Sequence, residues 1–164
     1  MVKVLFVCLG NICRSPASEG IFHAMVTKAG LSDVIDIDSA GTGAWHVGDP
    51  PDPRGQAAAV RRGYDLSGQR ARKVTISDFE QFDYIIGMDS SNFADLAAIA
   101  PEASRDKIKL FLDFAPNLSI RDVPDPYYGG PEGFENMLDL LEEASKGLLD
   151  EIRYRHLESQ AVSQ

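Results

Sequence analysis

Residues 4–16, V-L-F-V-C-L-G-N-I-C-R-S-P, constrain this chain more than any other stretch: an apolar run ends at Cys8, and Arg14 follows six positions later where a helix should open. The run reads as a buried strand. Ser15 followed by Pro16 is the pair expected at a helix N-cap and first helical position. Between strand and helix the backbone N–H groups can converge on one point. Such a loop is an anion site, because unpaired donors and the positive end of the helix dipole both face the ligand. Leu9, Gly10, Asn11, Ile12, Cys13, Arg14 and Ser15 would form its cradle. Arg14 closes it with a planar guanidinium able to grip two oxygens of a phosphate-like group, and the same positive field favours Cys8 as its thiolate. A thiolate facing a bound phosphate is a nucleophile facing phosphorus. The alternative, a core-strand cysteine followed by a solvated arginine, does not account for strand, loop, capping serine and helix-starting proline standing together.

The chain has 164 residues, 44% of them hydrophobic, which suits one domain, read as residues 1–157, with residues 158–164 as a frayed tail. A chain of this size buries roughly 70% of the surface its unfolded form exposes, so no metal, cofactor or disulfide is called for. The net charge of −9 repels a nucleic-acid backbone and an anionic membrane face. No apolar run is long enough to span a bilayer, and the short apolar start lacks a cleavage site, so it reads as a core strand and the expected location is cytoplasmic. Cys8 and Cys13 are the only cysteines. They are too few for a disulfide scaffold and wrongly spaced for zinc, so both should be thiols.

Residues 15–29 carry Ile21, Phe22, Met25 and Val26 at helical spacing, with Gly30 as the stop. Residues 34–39 alternate Ile35 and Ile37 with Asp36 and Asp38, an edge-strand pattern. Residues 44–55 form a long loop containing the one Trp, and loops of that length are usually functional or disordered. A short helix follows over 56–62, and Ser77 is a candidate cap for another. Residues 84–88, Y-I-I-G-M, read as a strand buried on both faces. Residues 91–100 are helical, 107–112 alternate as a second edge strand, and 134–157 form a last amphipathic helix. Two central and two edge strands joined by right-handed crossovers predict an α/β fold of three layers, a four-stranded parallel sheet in the order 2-1-3-4 with helices on both faces. The crevice of that sheet opens beyond strand one, where Cys8 lies.

Phosphoryl transfer to Cys8 needs a proton donor for the departing oxygen. Asp125 is the candidate, fixed between Pro124 and Pro126, and Tyr127 and Tyr128 follow with rings that could wall a slot for an aromatic leaving group. On its own, D-P-Y-Y reads as an ordinary turn.

Taken together, the loop, S-A-G-T at 39–42, M-D-S-S-N at 88–92 and D-P-Y-Y at 125–128 resemble the low-molecular-weight protein tyrosine phosphatase family over nearly the whole chain. Val7 and Asn11 stand where the larger tyrosine phosphatases carry His and Gly, so the resemblance selects the small family. It implies a phosphatase hydrolysing phosphotyrosine in proteins through a cysteinyl-phosphate intermediate. Cys8 would be the nucleophile, Arg14 the phosphate clamp and Asp125 the general acid that later activates water. Ser15 would donate to the Cys8 thiolate, while Asn11, Ser39 and Asn92 would support the loop. Leu9, Ile12, Trp45, His46, Tyr127 and Tyr128 would line the pocket, with His46 a surface residue rather than a catalyst. Gln69 stands where many relatives carry a His that partners the acidic group at Asp89.

Three rivals differ in class. Arsenate reduction passes a disulfide along further cysteines, and none follows Cys13. A phosphotyrosine-binding module without turnover would be expected to lose Cys8 or Asp125. A redox sensor using Cys8 and Cys13 reads as regulation added to the enzyme. The expected partners are phosphotyrosine proteins, with no nucleic acid and no membrane, for a monomer or weak dimer.

Overall fold

The computed structural model describes residues 1–127 and 129–158. Its sheet is built from β1 (Val2–Cys8), β2 (Ile35–Gly41), β3 (Tyr84–Gly87) and β4 (Ile108–Leu110). All pairings are parallel and the order is β2-β1-β3-β4, as the strand patterns predict. Helices α1 (Arg14–Lys28), α2 (Pro53–Arg61), α3 (Ile76–Gln81), α4 (Ser90–Ile99) and α5 (Pro131–Ile152) pack around it, with 3₁₀ turns at Glu102–Lys107 and Phe111–Phe114 and π-helical turns at Arg153–Glu158. No helix of the described residues is long and apolar enough to cross a membrane.

The strand period of two divides the core. Val4, Phe6 and Cys8 of β1 face one way with Tyr84 and Ile86, and they pack with Ile21 and Phe22 of α1 and Met137, Leu138 and Leu141 of α5. Leu5, Val7 and Ile85 face the other way, against Phe79 of α3 and Leu96 of α4. Both central strands are therefore covered on both faces, which is why they read as continuous apolar runs. The chain steps from β1 to β2 on one side, then crosses back past β1 to β3 on the other. That switch of direction opens a crevice at the carboxyl end of β1, and Cys8 is its last residue.

Several element boundaries differ from expectation. Ser15 is not the cap of α1: the helix begins at Arg14, Cys13 stands at the cap with no side-chain hydrogen bond, and the Ser15 hydroxyl turns to Cys8 instead. The cradle thus keeps the helix's free N–H groups that a capping side chain would have consumed. Helix α2 starts earlier than residue 56, because Asp52 accepts from the Arg54 N–H and Pro53 takes the first turn. Thr75 and Asp78 form the capping box of α3, in place of Ser77. Strand β4 is short because Phe111 and Leu112 leave the alternation for a 3₁₀ turn that buries both. Helix α5 starts at Pro131 and its α-helical form ends at Ile152. Residues 159–164 of the expected tail lie outside the described residues.

Gly41, the last residue of β2, pairs in register with Cys8. A Cβ there would stand 2.8 Å from the Leu9 carbonyl oxygen and 3.2 Å from both the Asn11 nitrogen and the Gly10 carbonyl carbon. All three are backbone atoms of the loop, so the loop itself must move. Gly41→Ala should cost about 1–3 kcal/mol of unfolding free energy in urea and weaken vanadate binding by about tenfold, the loss expected if roughly 1.4 kcal/mol of cradle geometry is forfeited. Unchanged vanadate affinity would mean that the loop yields without losing its shape.

Candidate active site

The loop after β1 is anchored by its carbonyls. The Cys8 oxygen accepts from the Thr42 N–H at 2.9 Å, the Leu9 oxygen from Gly43 at 2.9 Å and the Ile12 oxygen from Asp52 at 2.8 Å. Carbonyls tied outward turn the loop's N–H groups inward, the geometry of an anion nest. Asn11 makes the bend with φ of 57°, a left-handed conformation that Asn tolerates better than most side chains. Its amide is used at both ends. Nδ2 donates to Ser15 Oγ at 2.8 Å and Ser39 Oγ at 3.0 Å, and Oδ1 accepts from the Arg72 N–H at 3.0 Å.

That arrangement fixes the direction of the Ser39 proton. Ser39 donates its proton to Glu19 Oε1 at 2.7 Å, so its oxygen is free to accept from Asn11. Ser15 Oγ also accepts from Asn11, so its single proton is shared between Cys8 Sγ at 3.0 Å and the more distant Ala40 carbonyl at 3.4 Å.

Arg14 is 3% exposed. Its NH1 donates to Asp89 Oδ2 at 2.6 Å and to the Val123 carbonyl at 3.0 Å, while NH2 lies 3.7 Å from Asp125 Oδ2. Burial alone would lower its pKa, but the charges of Cys8, Asp89 and Asp125 outweigh it and the net shift is upward. Asp89 is itself fixed as the N-cap of α4 in a reciprocal box with Asn92. Asp125 holds the Tyr127 N–H at 3.0 Å and keeps its other oxygen toward Arg14. Asp122 is committed elsewhere, to the N–H and hydroxyl of Ser90.

A cavity of about 360 Å³ joins these parts. Cys8, Leu9, Gly10, Ile12, Cys13, Arg14, Trp45, His46, Asp125 and Tyr127 line it. Trp45 is 72% exposed and so forms a wall at the mouth rather than part of the core. His46 also stands in the wall, its ring centroid 6.4 Å from that of Tyr127 and its Nδ1 3.3 Å from Asp49 Oδ2. Tyr128 lies outside the described residues. Among the described residues no cluster of three or more His, Cys, Asp or Glu could hold a metal ion.

One expected support role changes place. The Asn92 hydrogen bonds run to Asp89, so this residue braces the partner of Arg14 rather than the loop. Gln69, where many relatives carry a His, does not meet Asp89: its Nε2 donates to the Pro16 carbonyl of α1 at 3.0 Å, and its Oε1 is buried with no partner among the described residues. The sequence reading missed Glu19 and Arg72 behind the loop. Glu19 lies four residues after Ser15 on the same face of α1, a spacing that could have flagged it. Arg72 bridges Asp38 and Asp78 from an irregular segment, and no periodicity marks it.

The family described as low molecular weight phosphotyrosine protein phosphatase matches residues 3–158. The chain is 47% identical over 152 residues to the low molecular weight phosphotyrosine protein phosphatase of Schizosaccharomyces pombe, covering 92% of this chain and 97% of that one. It is 44% identical over 153 residues to the low molecular weight protein-tyrosine-phosphatase YfkJ of Bacillus subtilis, covering 93% and 97%. The crystal structure of a protein tyrosine phosphatase from Entamoeba histolytica superposes with a TM-score of 0.91 at 40% identity, covering 94% of this chain and 98% of that one.

Burial, with the charge of Asp38 nearby, raises the Glu19 pKa from 4.5 to about 7 despite its bond from Ser39. A carboxyl raised in the folded state stabilises below its unfolded pKa, and that contribution is lost as pH climbs through the folded value. At about 1.4 kcal/mol per unit the loss between pH 4.5 and 7 is about 3 kcal/mol. Urea unfolding at pH 5 and pH 8 should show the wild type losing about that much more than Glu19→Gln, which can still accept from Ser39. Parallel losses in the two proteins would place Glu19 in contact with water.

Proposed function

The chain belongs to the low molecular weight phosphotyrosine protein phosphatase family, and on that premise we propose that it hydrolyses phosphotyrosine in proteins through a phosphocysteine at Cys8, with Asp125 as general acid. The observation that carries this reading is the meeting of Cys8, Arg14 and Asp125 on one cavity walled by Trp45 and Tyr127.

The substrate phosphate takes the cradle of N–H groups, with Arg14 beside it. Asp89 and the Val123 carbonyl hold one nitrogen of the guanidinium, which turns the rest of the fork to the phosphate. The Cys8 thiolate attacks phosphorus in line, the S–P bond forms and the bond from phosphorus to the tyrosyl oxygen breaks. Asp125 passes its proton to that oxygen, so tyrosine leaves neutral. In the second step Asp125, now a carboxylate, takes a proton from a water that attacks phosphorus. The S–P bond breaks, inorganic phosphate leaves and the thiolate returns, received by the Ser15 hydroxyl 3.0 Å away. The aromatic walls suit a phenyl ring standing upright in the mouth.

Absent cysteines after Cys13 argue against arsenate reduction, and the presence of both Cys8 and Asp125 argues against a binding module without turnover. Residues 1–157 form the single phosphatase domain of this reading, cytoplasmic and monomeric or weakly dimeric. Redox control belongs to it as well. Oxidation of Cys8 by peroxide gives a sulfenic acid, which the Cys13 thiol can condense with, releasing water and forming a disulfide. Burial, followed by the charges of Asp52 and Cys8, pushes the Cys13 thiol up, so it waits in its protonated form. Cys13→Ser should leave peroxide inactivation harder to reverse with a thiol reductant; equal recovery of the two proteins would remove the trapping role.

Asp125→Asn separates a general acid from a turn residue. The presteady-state burst, measured across a series of aryl phosphates, should fall by about 10² for phosphotyrosine, whose leaving oxygen needs the proton, and least for phenols bearing strongly electron-withdrawing groups. Cys8→Ser should abolish turnover yet keep vanadate binding, since cradle and Arg14 remain. A loss uniform across leaving groups would reduce Asp125 to a loop-shaping role.

A further inference from the structure

Arg54 does not line the cavity, yet its guanidinium joins the two loops that do. Its Nε and NH2 form a fork on Asp52, at 3.1 Å and 2.9 Å, and the backbone N–H of Arg54 adds a third bond at 2.8 Å. Asp52 is 7% exposed and its own N–H holds the Ile12 carbonyl of the cradle loop. On the other side NH2 donates to the Tyr127 carbonyl at 2.8 Å, and the N–H of that same Tyr127 is bound to Asp125 Oδ1. The guanidinium carbon lies 5.5 Å from the centroid of the Tyr127 ring and 5.1 Å from that of Phe134 in α5. A continuous path therefore runs from Ile12 through Asp52 and Arg54 to Tyr127 and Asp125.

The path matters because the segment carrying Asp125 is irregular. It is not part of the sheet ladder, and the Asp125 bond to Tyr127 is internal to it. Such a segment needs ties to the body of the protein if one carboxyl is to meet a leaving oxygen within hydrogen-bond reach. A planar fork can serve a carboxylate and a carbonyl at once while stacking between rings, which a lysine ammonium cannot.

We propose that Arg54 is a positioning residue for the general acid, setting the distance between the Asp125 loop and the phosphate cradle. The inference rests on the reading of Asp125 given above. It acts on the proton-transfer half of the site, because Arg54 reaches Asp125 through Tyr127 and reaches the cradle only at the outward carbonyl of Ile12.

The test is a double-mutant cycle. The burst on a phosphotyrosine peptide and on an aryl phosphate with a strongly electron-withdrawing ring is measured for Arg54→Ala, in the wild-type background and in Asp125→Asn. Arg54→Ala should slow the phosphotyrosine burst by about tenfold in the wild type, because small misplacements of a catalytic group are costly. It should slow the activated aryl phosphate by less than about threefold, and either substrate by less than about twofold once Asp125 is gone. Arg54→Lys should fall between, keeping one of the two ties, and it reads the same cycle if Arg54→Ala does not fold. Equal losses in both backgrounds, or equal losses on both substrates, overturn the proposal. An Asp125→Asn protein whose loss is uniform across leaving groups instead removes the general-acid reading and the Arg54 role with it.

Discussion

The left-handed backbone at Asn11 is the constraint around which the site is built. A non-glycine residue in that region costs roughly 1–2 kcal/mol, and the loop cannot turn its N–H groups inward without it. The side chain of the same residue offsets the cost: three hydrogen bonds, to Ser15, Ser39 and the Arg72 N–H, are made only when the backbone is bent this way. Glycine would adopt the bend more readily but would leave Ser15 and Ser39 without their donor. The residue that strains the loop therefore also orients the hydroxyl that faces the sulfur.

Electrostatics divide by distance. A chain of net charge −9 repels anions at long range, but salt screens that field over about 8 Å under physiological conditions. Within the cavity the decisive charges are few. Arg14 is buried among Cys8, Asp89 and Asp125, so its charge is already shared before substrate arrives. Asp89 serves orientation, since it grips one nitrogen and is locked by its box with Asn92. Protonation of Asp125 for its role as acid removes one of the competing negative charges, so the form able to donate a proton is also the form that leaves more of Arg14 for phosphate.

Legibility in the sequence followed the physics of each residue. The sheet order was readable because burial on both faces writes β1 and β3 as apolar runs and β2 as an alternation. Cys8 and Arg14 were readable because strand, loop and helix occupy consecutive positions. Asp125 stood out only beside the other family motifs, since D-P-Y-Y alone is a turn. The neighbours of Ser15 describe a helix cap; its approach to the Cys8 sulfur is legible only through the family resemblance, because it depends on Asn11 bending back, which no local pattern records. Asn92 is different, since its bonds to Asp89 are a local capping box at the start of α4 whose D-x-x-N spacing the sequence does carry, whereas the Gln69 bond crosses to the Pro16 carbonyl of α1. Long-range contacts of polar side chains leave no periodic trace.

The two halves of the site are held in different ways. Each anchored carbonyl of the cradle, Cys8, Leu9 and Ile12, meets a donor from a separate residue, and the Asn11 amide closes the turn from inside. Loss of any one tie leaves others to keep the N–H groups converged. The acid loop has two prolines to limit its backbone, and its ties to the rest of the protein include Asp122 on Ser90, Val123, whose N–H holds the Met88 carbonyl and whose oxygen meets Arg14, and Arg54 at Tyr127. A rigid cradle suits phosphate, whose size does not vary between substrates. An acid carried on an irregular segment suits leaving groups carried on different polypeptides, because the carboxyl can follow small differences in how each tyrosine ring enters between Trp45 and Tyr127. Binding of the phosphate should thus depend on the cradle as a whole, while the rate of proton transfer depends on the contacts that place the second loop.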